Sequence, residues 1–468
     1  MKLDVYSNAQ LAGTLEQVDL TRYVFSYAPG AKEDAMVSLL MPIRTESWIH
    51  RFLHPVFQVS LPEGALRQVL TKKFAKRFDR FGETELLATI GSHLIGRLKV
   101  VPHGTRPNPE APEESLRDLL KESPAEMLEH YLQLHAEYSG VSGGFAKFLA
   151  RSPSDDSANQ SDEVEKNTSA ISTSPQTSKS LNGQPYCLSH SEEDVSKTTL
   201  TFDHWIVKGN SPDHPDLVLN EYFGLLMARR MGLTVPAFHL SEDAQRIAIE
   251  RFDVGPNGEH FGFEDMCALH GLNASDKFSG SVERVINTIS TFCSPQQADT
   301  DRLDFYAQYV ACMAIRNGDA HLKNFGLLYT TRTDARLCPV YDMVSMSVYA
   351  PVSKDGDALD EPAMSLDGVR RWPTEKSLKY LAARCMLSPS RQATVRGRLC
   401  EAMIETSQDI ASMAADRPSF EPVAKRMLEL WACGLALHSP QHAQKIRDLA
   451  GNIENDQAAY EERPRLRF

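Results

Sequence analysis

The sequence predicts a two-lobed α+β fold, with a small α/β subdomain first, a mixed lobe next and a mainly helical lobe last. Three observations carry this. Strand-like runs and brief helical patterns alternate up to residue 102. A second set of strand-like runs at 204–208, 236–240 and 246–250 surrounds one helical pattern. Beyond Asp342 the periodicity is almost wholly helical. A chain of 468 residues can bury a core large enough for two lobes. Its 42% hydrophobic and 24% charged residues are the balance of a globular protein, which excludes a fibrous or wholly disordered one.

Taken in order, Leu3-Asp4-Val5-Tyr6 and residues 10–15 read as a hairpin turning at Asn8, and 23–27 alternates like a half-buried strand. Leu61-Pro62-Glu63-Gly64 leads into a helix from Ala65, a second helix opens within 81–87, and 95–101 closes the 1–102 subdomain as a strand. Proline-rich 102–112 reads as a linker, followed by helical patterns at 115–122 and 124–137. Residues 139–147 are glycine-rich, and Gly143 and Gly144 let backbone N–H groups approach an anion. Residues 148–150 continue as a strand. From 151 to 200 large apolar residues nearly vanish, so this stretch cannot offset its ordering entropy and is expected to be a disordered insertion. The fold resumes at 204–208, a strand ending in Lys208. Asn220 reads as the N-cap of a helix running to Met231 and closed by Gly232. Helical patterns then occupy 375–384, 389–404 and 423–437, with loops at 367–373 and a fraying tail at 461–468. The expected units are 1–102, a nucleotide-binding lobe at 103–255 and a helical lobe at 256–468.

A formal net charge of −12 argues against a protein that holds nucleic acid through its own phosphate contacts. The basic cluster at 72–77 reads as a solvated helix face. Eight scattered cysteines without a C-x-x-C read as reduced, buried thiols, not as a zinc or disulfide framework. The polar-alternating start lacks a signal-peptide core, and no apolar run is long enough to span a membrane, so a cytoplasmic protein is expected.

The chemistry concentrates in residues 316–326, between an apolar helical run at 305–315 and a strand-like run at 325–329. Gly318-Asp319 is a turn signal. Asp319 and Asn324 stand in the spacing D-x-x-x-x-N with His321 between them, and Asp342 follows at the end of a strand-like run, 337–341. Phosphoryl transfer needs a carboxylate to orient or deprotonate a hydroxyl, and oxygen ligands for Mg²⁺ from a carboxylate and an amide. A protein kinase keeps its base and its metal-binding Asn at this spacing, with a second metal ligand on a later element. Asp319 is therefore the candidate base, and Asn324 and Asp342 the candidate Mg²⁺ ligands. Lys208, a strand lysine before a helical glutamate, resembles the pair that positions ATP phosphates.

In order along the chain, these motifs resemble the HipA family of bacterial serine/threonine kinases, the toxins of HipA–HipB toxin–antitoxin modules. The resemblance rests on Leu61-Pro62-Glu63-Gly64, the loop 142–147, Ile206-Val207-Lys208, Asn220-Glu221-Tyr222, Glu250-Arg251-Phe252-Asp253, the loop 318–325 and Pro339-Val340-Tyr341-Asp342. It implies a protein-kinase-like fold, with Asp319 as base and His321 near the phosphates. It also implies Lys208 and Lys147 at the nucleotide, and Glu250 and Phe252 on the adenine. Ser142 matches the family's autophosphorylation region, with Ser139 as its rival; a dianion there repels bound phosphates and ejects the loop. The family loop usually reads close to S-G-V-Q-P-K, whereas here it is Ser142-Gly143-Gly144-Phe145-Ala146-Lys147. The implied substrate is a translation component such as an aminoacyl-tRNA synthetase. The implied partner is a helix-turn-helix antitoxin, through which DNA would be met indirectly. Two other readings share the loop chemistry: a lipid or small-molecule kinase, and a catalytically silent binding module.

Overall fold

The computed structural model describes residues 1–78, 80–108, 116–121, 147–153, 202–211, 213–354 and 358–453. The N-terminal subdomain is built on β1 (Lys2–Ser7), β2 (Gln10–Asp19), β3 (Arg22–Tyr27), β4 (Trp48–His50) and β5 (Leu98–Pro102), in the sheet order β4-β3-β2-β1-β5. Asn8 turns the β1–β2 hairpin in the left-handed region at φ 51°, which Asn tolerates better than most residues. The short helices α1 (Pro55–Gln58), α2 (Gly64–Phe74) and α3 (Glu83–Ile90) cover the sheet. The closing strand starts at Leu98, later than the pattern from Ile95 suggests, because Gly96 at φ 81° breaks the extended run.

After α4 (Leu116–Leu119), the second sheet holds β6 (Lys147–Pro153), β7 (Phe202–Gly209), β8 (Phe238–Leu240) and β9 (Arg246–Glu250), in the order β6-β7-β9-β8. Strand β6 takes up Arg151 to Pro153, three residues of the stretch read as an insertion. The expected helix at 124–137, the glycine-rich 139–146, most of the 151–200 insertion and the 461–468 tail lie outside the described residues.

Alternation along these strands divides two cores. Trp205, Val207 and Ala248 pack into the N-terminal core, while Ile247 and Ile249 face the larger C-terminal one. Helix α5 (Leu217–Arg230) connects β7 to β8 and sits in that larger core, with Phe223 stacked on Phe420 at 6.0 Å. Gly232 closes it at φ 83°, as expected. Asn220 is not its cap. The helix starts at Leu217, so Asn220 lies within its first turns, with no exposed surface.

The helical lobe follows β10 (Gly262–Asp265), then α6 (Met266–Leu269), α7 (Val282–Phe292), α8 (Pro295–Ala314), β11 (Gly326–Tyr329), β12 (Arg336–Leu337), α9 (Glu375–Arg384), α10 (Pro389–Asp416), α11 (Glu421–Leu435) and α12 (Pro440–Gly451). Helices α8, α10 and α12 each open on Ser-Pro. The serine accepts a backbone N–H of the first turn, and the proline occupies a position whose N–H is not needed. Strand β12 is only two residues long, shorter than the run 337–341 suggests. Cys338 still donates to Gly326 at 3.0 Å, but Pro339 has no N–H with which to extend the ladder.

Among the described cysteines six are buried and Cys433 is exposed, all free. No helix among the described residues is long and apolar enough to cross a membrane.

Candidate active site

A cleft of about 330 Å³ lies where the second sheet, α5, the loop after α8 and the segment 341–346 meet. Each wall is set by local geometry. Along β7 the strand period turns Ile206 and Lys208 into the cleft while Trp205 and Val207 point to the N-terminal core. Along α5 the helical period turns Leu217, Val218 and Glu221 into it. Asn220 and Gly224, four residues apart, face the segment after Asp342 instead: Asn220 Oδ1 accepts from Ser345 N–H at 2.8 Å, its Nδ2 donates to Ser345 C=O at 3.1 Å, and a Cβ on Gly224 would lie 1.8 Å from the Met343 carbonyl.

The catalytic-type loop starts where α8 runs out. Arg316 takes φ 57° and Asn317 N–H bonds back to Cys312 C=O at 2.8 Å, which stops the helix. The Asn317 side chain, almost wholly buried, accepts from Asp319 N–H at 3.2 Å and reaches the Asp342 carbonyl at 3.5 Å. A Cβ at Gly318 would meet the Asp360 carboxylate at 2.0 Å, so a larger residue there would displace that side chain. A single 3₁₀ turn, Leu322–Asn324, then carries the chain into β11. Asp342 itself sits at φ 51°, a conformation costing about 1 kcal/mol or more, which persists only where surrounding structure fixes it.

Five of the expected residues converge. The Lys208 ammonium lies 2.5 Å from Glu221 and also pairs with Asp342. Burial alone would lower its pKa, but Asp342 and Glu221 more than reverse this and hold it above the ordinary range. Asp319 stands at the mouth with 43% of its side chain exposed, 3.9 Å from His321 Nε2. Desolvation, with Asp342, Asp360 and Glu63 nearby, pushes its pKa up to about 6 against the pull of Lys277. Burial, helped by Lys277, pushes His321 down to about 3, so its ring is neutral. Among the described residues, Asn324 Oδ1 and His321 Nδ1 are buried without any hydrogen-bond partner. A buried amide oxygen left without a donor costs free energy unless something else meets it. With the Asp342 carboxylate on the same cleft, the oxygen set suits a hard cation such as Mg²⁺.

Glu250 and Phe252 also line the cleft, and the Phe252 ring is braced by Phe263 and Tyr341, both at 5.5 Å. The Lys147 backbone pairs with Lys208 across β6 and β7. Ser139, Ser142, Gly143 and Gly144, and the side chain of Lys147, lie outside what the structure describes. Sequence reasoning missed Glu63, Lys277 and Lys323 as lining residues. Glu63 falls in a motif that carried the resemblance and Lys323 inside the loop itself, whereas Lys277 stands in an unpatterned polar stretch.

Two-lobed architecture and a cleft carrying Lys208, Asp319, Asn324 and Asp342 define a kinase-like α+β protein. The HipA N-terminal domain model matches residues 3–101 and the HipA-like C-terminal domain model residues 178–412, and the chain belongs to the HipA family. It is 30% identical over 200 residues to the candidate kinase Y4dM of Sinorhizobium fredii, covering 39% of this chain and 46% of that one. It is 23% identical over 165 residues to a candidate kinase of Haemophilus influenzae, covering 32% and 47%. The chain thus spans about half the length of these curated relatives. The fold is shared with HipA of Shewanella oneidensis MR-1, solved with HipB and operator DNA, at a TM-score of 0.58 and 18% identity over 95% of this chain and 99% of that one.

Proposed function

We propose that this protein is an ATP- and Mg²⁺-dependent serine/threonine protein kinase acting as the toxin of a toxin–antitoxin pair. The observation that carries the reading is one cleft in which the candidate base Asp319, the paired Lys208 and the partnerless Asn324 oxygen stand together with Asp342. Asn324 and Asp342 would hold Mg²⁺, and Lys208 would meet the nucleotide phosphates. Glu250 and Phe252 would bound the adenine. Bound there, Mg²⁺–ATP supplies the phosphoryl group and neutralises charge on its oxygens.

The chain's own part is positioning. Asp319, with a pKa near the working range, accepts the proton of the acceptor hydroxyl, and Asn317 fixes the loop that carries it. The acceptor is a protein serine or threonine of a translation component, such as an aminoacyl-tRNA synthetase. Phosphorylation of the chain's own Ser142, or of Ser139, switches it off. A helix-turn-helix antitoxin is the partner, through which DNA is met in the cytoplasm; the Shewanella relative solved with HipB and DNA supports this.

The test is phosphate incorporation from γ-labelled ATP with Mg²⁺ in wild type, Asp319→Asn and Asp342→Asn, with mass spectrometry of the products. Label on the chain or on lysate proteins in wild type alone supports the reading. ATP binding with no phosphate moved would favour a silent binding module, and label confined to lipid or small molecules a different kinase class.

A further inference from the structure

The cleft holds more positive charge than the loop chemistry uses. Besides Lys208, its described lining includes Lys277 and Lys323. Lys323 is fully committed: its ammonium lies 3.1 Å from Asp265 and 3.7 Å from Glu63, donates to the Val59 carbonyl at 3.2 Å, and its side chain is 5% exposed. Lys208 is held between Glu221 and Asp342, and His321 is neutral. Lys277 differs. Its side chain is 23% exposed, and its carboxylate neighbour, Glu63 at 3.2 Å, is shared with Lys323. It is also the strongest charge acting on both Asp319 and His321.

The segment that carries Lys277 is fixed against the catalytic loop. Leu322 N–H donates to the Lys277 carbonyl at 3.2 Å. The Phe278 ring meets His321 edge-on at 5.2 Å. Gly280 lies so close to the Leu322 side chain that a Cβ would sit 2.4 Å from it. From the opposite side Glu63, on the N-terminal subdomain, anchors the head group.

We propose that Lys277 is the cation that meets the phosphoryl group in flight, held within reach of Asp319 by Glu63. This rests on the kinase reading. Transfer spreads negative charge over the oxygens of the moving group, and only donors placed where that charge develops lower the barrier. The bond broken joins the γ-phosphorus to its bridging oxygen, and the bond formed joins it to the acceptor oxygen. The acceptor proton passes to Asp319, while Lys277 contributes charge and hydrogen bonds and exchanges no proton. Glu63 acts through Lys277, so it is a positioning residue, and the N-terminal subdomain becomes part of the active site.

The test uses the full chain as wild type, Lys277→Met, Lys277→Arg and Glu63→Gln. Calorimetry measures binding of Mg²⁺–ATP and of adenosine, and γ-labelled ATP measures transfer to the chain and to lysate proteins. In Lys277→Met, transfer should fall about 100-fold, the scale of one lost transition-state donor. ATP binding should weaken about tenfold, as for one lost charge-assisted bond, with adenosine binding unchanged. Lys277→Arg should recover part of both, and Glu63→Gln should move them in the same direction by less. Wild-type transfer in Lys277→Met, or equal losses of ATP and adenosine binding, would overturn the proposal alone. A wild type that transfers no phosphate would remove the kinase reading and this role with it.

Discussion

Asn220→Ala tests how the fold holds Asp342. The Asn220 amide spans both main-chain groups of Ser345, accepting at 2.8 Å and donating at 3.1 Å. Both residues have no exposed surface, so bulk solvent does not reach the groups that alanine leaves behind. The Ser345 carbonyl keeps one donor, Val348 N–H at 3.2 Å, but the Ser345 N–H is stranded. A stranded buried N–H costs about 1–3 kcal/mol and the second lost bond about 0.5–1.5 kcal/mol, so the segment after Asp342 should loosen by about 2–4 kcal/mol. Native-state hydrogen exchange reads this directly. If the Ser345 amide exchanges by local opening, 2 kcal/mol corresponds to about a 30-fold loss of protection. Mg²⁺–ATP affinity should fall with it, because Asp342 lies three residues upstream in the same segment. Protection within about threefold of wild type would refute the reasoning. It would mean that Lys208 and the Asn317 contact suffice to hold Asp342.

Three further outcomes follow from the same geometry. With its pKa raised to about 6 from an ordinary 3.8, Asp319 is an effective base only above that value, so transfer should rise with pH through about 6 and flatten beyond it in an initial-rate profile. The linkage has the opposite sense for stability: the folded state favours protonated Asp319, a gain present below pH 3.8 and lost as pH climbs through about 6. Asp319→Asn should therefore melt above wild type at neutral pH and level with it near about pH 4 in scanning calorimetry; equal melting at both would discount the desolvation. Gly224→Ala puts a methyl 1.8 Å from the Met343 carbonyl, so α5 or the Asp342–Met343 backbone must move. Overpacking of this kind costs about 1–3 kcal/mol, and a lower melting temperature with weakened Mg²⁺–ATP binding is expected.

What the sequence made legible were features with local causes. The β1–β2 hairpin, the Gly232 helix stop and the loop carrying Asp319 each announce themselves within a few residues. Asn220 did not, because a small polar residue near a helix start reads as a cap unless its partner is known, and that partner is 125 residues away. The Glu63–Lys277 contact joins residues 214 apart, and no periodicity marks either member. The run 337–341 failed for another reason: its alternation is that of a strand, but alternation reports side-chain facing and not the donors a ladder consumes, and Pro339 lacks one.

The same distance argument explains why 1–102 read as a separate subdomain. A composition boundary at the proline-rich linker is visible in sequence, whereas the ties across it are buried polar bonds between distant residues. Asp253, one residue beyond Phe252 of the cleft wall, accepts Gly96 N–H at 2.6 Å and pairs with Arg251, which donates to the Leu94 carbonyl at 3.3 Å. Glu264, wholly buried on β10, accepts Ser38 Oγ and Leu39 N–H, both at 2.7 Å. Burial there favours the neutral form and raises the Glu264 pKa, so these donors are what make a carboxyl tolerable at that depth. Moving the N-terminal subdomain would leave Asp253 with Arg251 alone among these partners and Glu264 with the Tyr329 hydroxyl but neither of these two donors, next to the Phe252 and Asp265 walls of the cleft. The N-terminal sheet is therefore held to the cleft walls through the residues that also shape the site, and Glu63 reaches Lys277 and Lys323, on the same cleft as Asp319, from a fixed base.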